Sequence, residues 1–531
     1  MPDRRLCERS LPSVRPVVTG VLATLACATA LIAPPPLFAQ AGVGTEGVGE
    51  VSFPNSGAPE AQAAFHRGLA QLHNFEYGSA AADFREAQEI DPGFAMAYWG
   101  EAMTYNHTVW MEQDRDAAHA ALERLDPTRE GRVAAAPTER EKAYLRAVET
   151  LYGDGDKQER DDSYTEVMRS LYEAYPDDHE AAAFYALSVL GTAHEGRDFT
   201  TYMRAAAVVE EVFDSHPRHP GAVHYLIHSY DDPIHAPLGL RAARAYSSIA
   251  PDAAHAQHMT SHIFVAMGMW DDVVRANETA VAVVDRARSA RGGAALVCGH
   301  YPFWLEYGYL QQDRTDDARR ILRGCLDAAR SEAGARAGHG DLLDPDNTLR
   351  ASYVQMRTRY ILDSEAWDSE VLDWDVPMGE AWGDRLTYAF GTGFAATRRG
   401  DLEAARDALD TLLEARRGLE ARLRTREDSG ARYDTRAAIL EQQLRAVILA
   451  EEGHPEDAIA LVGEAVAAEE SLPFIFGPPF VDKPSHELLG ELLLASGRAD
   501  EAREAFETAL SRTPERATVQ IGLTRATAHR R

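Results

Sequence analysis

The chain has 531 residues, 45% of them apolar and 26% charged, with a formal net charge of −30. This is ordinary globular composition with enough apolar material for a sizeable core. The acidic excess argues against nucleic acid or an anionic membrane surface as a partner.

In chain order, residues 1–41 read as an export signal. Arg4, Arg5, Arg9 and Arg15 form a basic start, residues 17–33 an apolar run, and Leu37-Phe38-Ala39 or Ala39-Gln40-Ala41 a small-residue cleavage site. A lipid anchor on Cys27 is the lesser alternative, because Thr24-Leu25-Ala26 is a poor lipobox. The expected location is therefore periplasmic or secreted. No later stretch approaches the roughly 20 apolar residues needed to span a bilayer, so no membrane span is expected after signal removal. Residues 42–58 are rich in Gly and small polar residues without periodicity, and read as a flexible linker.

From residue 59 onward apolar residues recur at helical spacing, with Gly or Pro marking turns. The expected divisions are an N-terminal repeat pair at 59–125, irregular helical repeats with stacked histidine helices at 126–288, repeats with a candidate disulfide hairpin at 289–367, and C-terminal repeats with a capping helix at 368–531. Loops are expected near 126–140, 153–162, 288–298, 333–347, 368–384 and 419–435, where Gly, Pro and charge interrupt the register. With the signal gone, Cys298 and Cys325 are the remaining cysteines. If helices near 301–312 and 315–330 form a hairpin turning at about 313, the two sit at similar heights and a bridge is feasible; two separate buried thiols is the competing reading.

Internal repetition is the strongest signal. In a 34-residue frame from Ala61, Gly68, Ala80, Phe84, Ala87 and Pro92 fall at positions 8, 20, 24, 27 and 32. A frame from Lys483 places Leu489, Gly490, Leu493, Ala502, Phe506, Ala509 and Pro514 equally well, with Gly497 in the turn. Small residues at 8, 20 and 27 let two helices approach closely, an aromatic at 24 fills the gap between repeats, and proline at 32 stops the second helix. On these residues the chain resembles the tetratricopeptide repeat superfamily from about residue 59 to the end. GLAQLHNFEYGSAAADFREAQEIDPGFAMAYWGEAMTYNH, HPGAVHYLIHSY and PSHELLGELLLASGRADEAREAF look like exported bacterial members, and the paired-histidine segments are more loosely similar to the tetratricopeptide repeat protein 38-like group. The resemblance implies an all-α, right-handed α-solenoid of antiparallel helix pairs, roughly eight to ten of them, with irregular insertions. It implies a binding or scaffold module and no particular reaction.

The resemblance also implies that positions 2, 5, 9, 12 and 13 of each first helix face a concave wall. On that register His224 and His258 both occupy position 5, and His228 and His262 both occupy position 9, 34 residues apart. A spacing of four puts each pair on one helical face. His194 takes position 9 one frame earlier, His255 position 2, and His73 and His107 share position 13. Eight of the nineteen histidines fall within 216–262, so the four paired imidazoles are expected to converge.

Such imidazoles, His194 included, would suit a Zn, Cu, Ni or Fe ion, with Asp231, Asp232 or Glu195 as further ligands or orienting acceptors. The alternative is hydrogen bonding among the rings, Tyr225, Ser229 and Ser261 with no ion. For His73 and His107 the structural reading is preferred, and His486 reads as a capped or buried packing residue. The same register puts Trp99, Met103, His107, Phe303, Tyr307, Phe390 and Phe394 in the groove, which would suit an apolar or aromatic small ligand, or a protein or peptide docking by apolar anchors. The Lys, Asn and Arg residues with which relatives grip acidic carboxyl ends are absent from these positions. No GxSxG elbow, Walker loop, dinucleotide fingerprint or HExxH motif occurs. The function expected is therefore binding or scaffolding, with a metal-dependent enzyme or metal-binding protein as the alternative.

Overall fold

The packing unit of this fold is an aromatic ring clasped between two glycines. The Phe84 ring sits against Gly68 and Gly100, where an added Cβ would lie 3.1 and 2.3 Å from it. Near the other end Phe506 is held identically by Gly490 and Gly522, with corresponding distances of 2.6 and 2.5 Å. Any side chain at Gly100 or Gly522 would push neighbouring helices apart, so the repeat chemistry read from sequence is also the contact geometry.

The computed structural model describes residues 43–331, 348–424 and 430–528. The export signal expected at 1–41 lies outside them, as do the whole of the loop expected at 333–347 and the middle of that at 419–435. Among the described residues are 23 α-helices, most of which pack antiparallel against their chain neighbours as an all-α solenoid. Apart from a short helix, Arg129–Ala135, in the first insertion and Ala517–Ala528 at the end of the array, 21 helices remain, one more than the ten pairs at the top of the expected range. Two capping boxes, Thr138 with Glu141 and Asp156 with Glu159, start the Glu139–Leu151 and Lys157–Ala174 helices. No described helix is long and apolar enough to cross a membrane.

The stretch expected to be a flexible linker is ordered instead. Val43–Thr45 pairs antiparallel with Gly49–Val51, closing a hairpin through Gly47 and Gly49 at φ +77° and +105°. Its glycines serve that turn, while Val48, Val51 and Phe53 are buried. The Glu50 amide donates to the Arg218 carbonyl, Ser52 to Glu180, and Asn74 donates to the Val48 carbonyl. Three apolar anchors within a glycine-rich stretch thus strap the first repeat to the middle of the array.

The concave wall is filled. Phe53 stacks on Trp99 with centroids 5.5 Å apart, and Tyr144 and Phe184 close on the same indole at 5.2 and 5.3 Å. Trp99, Met103, Tyr307, Phe390 and Phe394 are buried and Phe303 is half-buried. At the C-terminal end the segment between the Pro455–Glu470 and Ser485–Ala495 helices runs inward: Gly477 lies on the Trp304 ring, and Arg359 donates to the Pro479 and Asp482 carbonyls at 2.7 and 2.8 Å. The expected aromatic groove is therefore corrected to core, because strap and inserted segment occupy the space it would have lined.

The inner wall of the C-terminal half closes on buried charges. Arg516 reaches Asp363 and Glu487, both at 2.6 Å, and Lys483 reaches Glu487 at 2.6 Å, all essentially inaccessible. Burial works against the Glu487 carboxylate, but Arg516 and Lys483 hold its pKa down at about 2. The Cys298–Cys325 disulfide, with Cα atoms 4.8 Å apart, fastens the loop before the His300–Gln311 helix to the Thr315–Ser331 helix. By contrast, neither carboxylate oxygen of the fully buried Glu306 has a hydrogen-bond partner.

Two outcomes follow for stability. Arg516→Met removes the cation that Asp363 and Glu487 share, leaving Lys483 on Glu487 alone, and is expected to cost about 3–5 kcal/mol in urea unfolding; a change under about 1 kcal/mol would contradict the network's role. Burial raises the Glu306 pKa well above the carboxylate range, with Arg359 opposing. The folded state therefore keeps a proton that the unfolded chain releases above about pH 4.3. Stability attributable to this group falls as pH rises from there through the folded pKa. Glu306→Gln is expected to be more stable than the parent at about pH 8, with the gap closing toward about pH 5; a gap independent of pH contradicts this.

Candidate metal centre

Two helices carry the paired histidines. Pro220–Tyr230 begins with proline at its first position and is capped by His219, whose Nδ1 accepts from the Ala222 amide at 3.1 Å. Ala254–Ala266 has all thirteen residues buried and contains no Asp, Glu, Lys or Arg. A helix buried all round belongs to an interior and not to the lining of an open groove. The two helices pack against one another, and the end of Gln62–His73 meets the first of them.

The first cluster is His224, His228 and His255. One ring nitrogen from each lies within 4.8 Å of the others. His224 Nδ1 faces the His73 carbonyl at 2.7 Å and must donate to it, which leaves Nε2 as a bare lone pair. The Nε2 atoms of all three rings are buried without a hydrogen-bond partner. Burial drives the His224 pKa down to about 3, and burial with neighbouring imidazoles drives His228 and His255 well below the usual range. All three are neutral at physiological pH, the form in which imidazole ligates metals. Phe75, in the left-handed region at φ +56°, lies over the cluster, its centroid 4.3, 5.8 and 5.6 Å from His224, His228 and His255. Such backbone conformations in bulky residues concentrate at functional sites.

The second cluster is His258, His262 and His300, again with one nitrogen from each within 4.8 Å. His258 Nδ1 meets Asn277 Oδ1 at 2.7 Å, and the Asn277 amide nitrogen is committed to the Val273 carbonyl. His262 Nδ1 meets Asp231 Oδ2 at 2.5 Å. The two Nε2 atoms stand 3.0 Å apart. His300 opens its helix after Gly299, at φ +105°, two residues beyond the disulfide-held Cys298. Trp304 and Phe476 wall this cluster, with centroids 4.4 and 5.0 Å from His262. A small cleft of about 20 Å³, lined by Trp270, Tyr307 and Phe474 among others, borders Asp231.

A third group, His73, Glu180 and His219, meets the same distance criterion but is closed on itself. His73 Nε2 donates to Glu180 at 2.7 Å while its Nδ1 accepts from the Tyr225 hydroxyl at 2.8 Å. His219, its Nδ1 occupied as a cap, turns Nε2 toward the other Glu180 oxygen at 3.2 Å. Burial would raise the Glu180 pKa, yet His219 and His73 hold it well below the usual range; burial lowers that of His73. Glu180 thus accepts from His73 and lies beside His219, a structural network.

Of the sequence-derived candidates, the structure brings His224, His228, His258 and His262 together and leaves His194 out. The His179–Leu190 helix ends before His194, which turns outward to Asp162 at 2.9 Å; Thr-Ala-His-Glu-Gly at 192–196 forms a turn where the repeat frame continued a helix. Glu195 is exposed, Asp232 pairs with Arg197 and His235, and Asp231 orients His262. Ser229 and Ser261 donate to carbonyls of their own helices. His107 lies flat on Tyr77 at 4.0 Å, and His486 is held near the surface by Glu470 at 2.9 Å. The clusters add His255, one helical turn before His258, and His300, whose place is set by the loop carrying Cys298. Neither follows the 34-residue interval; the three-residue step from His255 to His258 is the one local signal.

The tetratricopeptide repeat family model matches residues 484–516, which hold the Ser485–Ala495 and Ala499–Arg512 helices. Among solved structures, the APC/C hetero-tetramer Cut9-Hcn1 is 12% identical, covering 89% of this chain and 78% of that one at a TM-score of 0.35. Yeast Tom70 is 14% identical over 89% and 96% at 0.34. Human IFIT1, in a dimer with m7Gppp-AAAA, is 13% identical over 86% and 90% at 0.32. No curated protein matches the chain. The chain thus carries a tetratricopeptide repeat at residues 484–516, with further helix pairs before it.

Proposed function

We propose that this is an exported metal-binding protein in which a helical-repeat array holds a transition-metal ion on His224, His228 and His255. The observation that carries the reading is the convergence of three neutral, buried imidazoles whose Nε2 atoms lack a partner. Buried polar atoms are otherwise almost always satisfied. Zn–N bonds of about 2.0–2.1 Å place tetrahedral nitrogens roughly 3.3 Å apart, so nitrogens now within 4.8 Å of one another would close by up to about 1.5 Å around one ion. An all-imidazole donor set favours Zn, Cu, Ni or Fe over Mg or Ca. The His73 carbonyl bond that fixes the His224 tautomer is the kind of outer contact such ligands use. Export accords with the Cys298–Cys325 bridge, which suits an oxidising compartment.

A second reading, a docking module for another protein, draws on one surface feature. Ile234, in the turn before the Ala236–Ile249 helix, and Leu238, in its first turn, are 68% and 59% exposed, and Phe199, 42% exposed, packs on the intervening His235 at 4.9 Å.

Metal analysis of protein purified without a histidine tag is expected to find bound transition metal, reduced by at least one ion per chain in His228→Ala/His255→Ala; a metal-free wild type contradicts the reading. As a control, Glu180→Gln is expected to destabilise the fold by roughly 2–3 kcal/mol with metal content unchanged, and loss of metal there would contradict the division between the two groups. For the docking reading, Ile234→Asp/Leu238→Asp is expected to lose partners recovered with the wild type; an unchanged set contradicts it.

A further inference from the structure

Resting on the metal-binding reading above, we infer that the ion held by His224, His228 and His255 is monovalent copper, Cu(I), in preference to a divalent ion. The charge of the site decides this. Each of the three ligands is a neutral imidazole, and no Asp, Glu or Cys among the described residues joins their group. Carboxylates in the surroundings are committed elsewhere: Glu76 accepts from the His255 amide at 3.0 Å, Asp231 faces His262, and Asp232 is shared by Arg197 and His235. A bound ion therefore keeps its whole charge.

The surroundings make that charge costly. His224, His228 and His255 are 0%, 2% and 5% exposed, and Phe75, 3% exposed, lies over all three rings. Trp110 closes on Phe75 at 5.5 Å and on His255 at 5.9 Å, and Tyr246 flanks His224 at 5.4 Å. The cost of taking an ion out of water grows with the square of its charge, so a dication loses about four times as much as a monocation. A three-histidine Zn(II) site also takes water as its fourth ligand, and the aromatic cover opposes its entry. Cu(I), a closed-shell ion, is coordinatively complete with three nitrogens. In water imidazole donors favour the divalent ions late in the first row; burial without a counter-charge reverses that order.

The test is anaerobic loading of the full chain, stripped beforehand with a chelator, from an equimolar mixture of Cu(I) and Zn(II), followed by gel filtration, metal analysis and the copper absorption edge. The wild type is expected to retain one copper per chain in at least tenfold excess over zinc, with the edge of three-coordinate Cu(I). Zinc at parity or in excess overturns the assignment to Cu(I) and leaves the metal centre standing. No retained ion overturns both. His255→Asp, which restores an anionic donor in the same place, is expected to retain zinc over copper; an unchanged order overturns the placement of Cu(I) on this cluster. Phe75→Gly keeps the left-handed backbone while admitting water and leaves every ligand in place. It is expected to lower the copper excess at least tenfold, and an unchanged excess overturns the argument from burial even where the aspartate variant fails to fold.

Discussion

A neutral imidazole buried in a protein has one proton to give and one lone pair to satisfy, and the middle of this array depends on how that constraint is met. Around Glu180 it is met for His73, whose nitrogens take Glu180 and the Tyr225 hydroxyl, with His219 Nε2 3.2 Å from the other carboxylate oxygen, and the Gln62–His73 helix is bolted to the His179–Leu190 helix. A few ångströms along, His224 donates to the His73 carbonyl and turns its other nitrogen inward without a partner, while His258 and His262 face Asn277 and Asp231 and meet one another. Identical side chains thus serve as mortar in one place and as candidate ligands in the next.

The fold supplies the rigidity such a cluster needs. The helices bearing the histidines are buried nearly all round, the N-terminal strap presses the first repeat against them, and a disulfide fixes the approach to His300. Phe75, Trp304 and Phe476 surround the rings with apolar walls that raise the cost of leaving nitrogens unsatisfied. Ligand sites held by packed helices are positioned more sharply than sites on loops.

The local grammar of the repeats was legible because it rests on near-neighbour contacts. Gly68, Phe84 and Gly100, and their counterparts Gly490, Phe506 and Gly522, obey a short-range steric rule that any frame search can find. The pairing of His224 with His228 and His258 with His262, and their stacking 34 residues apart, follow from the same periodicity. What escaped was set by distant chain. His73 and His224 are 151 residues apart yet hydrogen-bonded, Phe53 plugs the wall beside Trp99, and Arg359 holds a segment 120 residues later. These tertiary insertions turned the expected groove into core. His194 failed for the opposite reason: the frame was extended past the end of its helix, where a turn takes the ring outward.

The most direct measurement is anomalous diffraction at the absorption edge of whichever metal is retained. The account predicts a peak within coordination distance of the Nε2 atoms of His224, His228 and His255. Strong density for ions elsewhere, or rings that instead hydrogen-bond to one another with no anomalous signal between them, would contradict it.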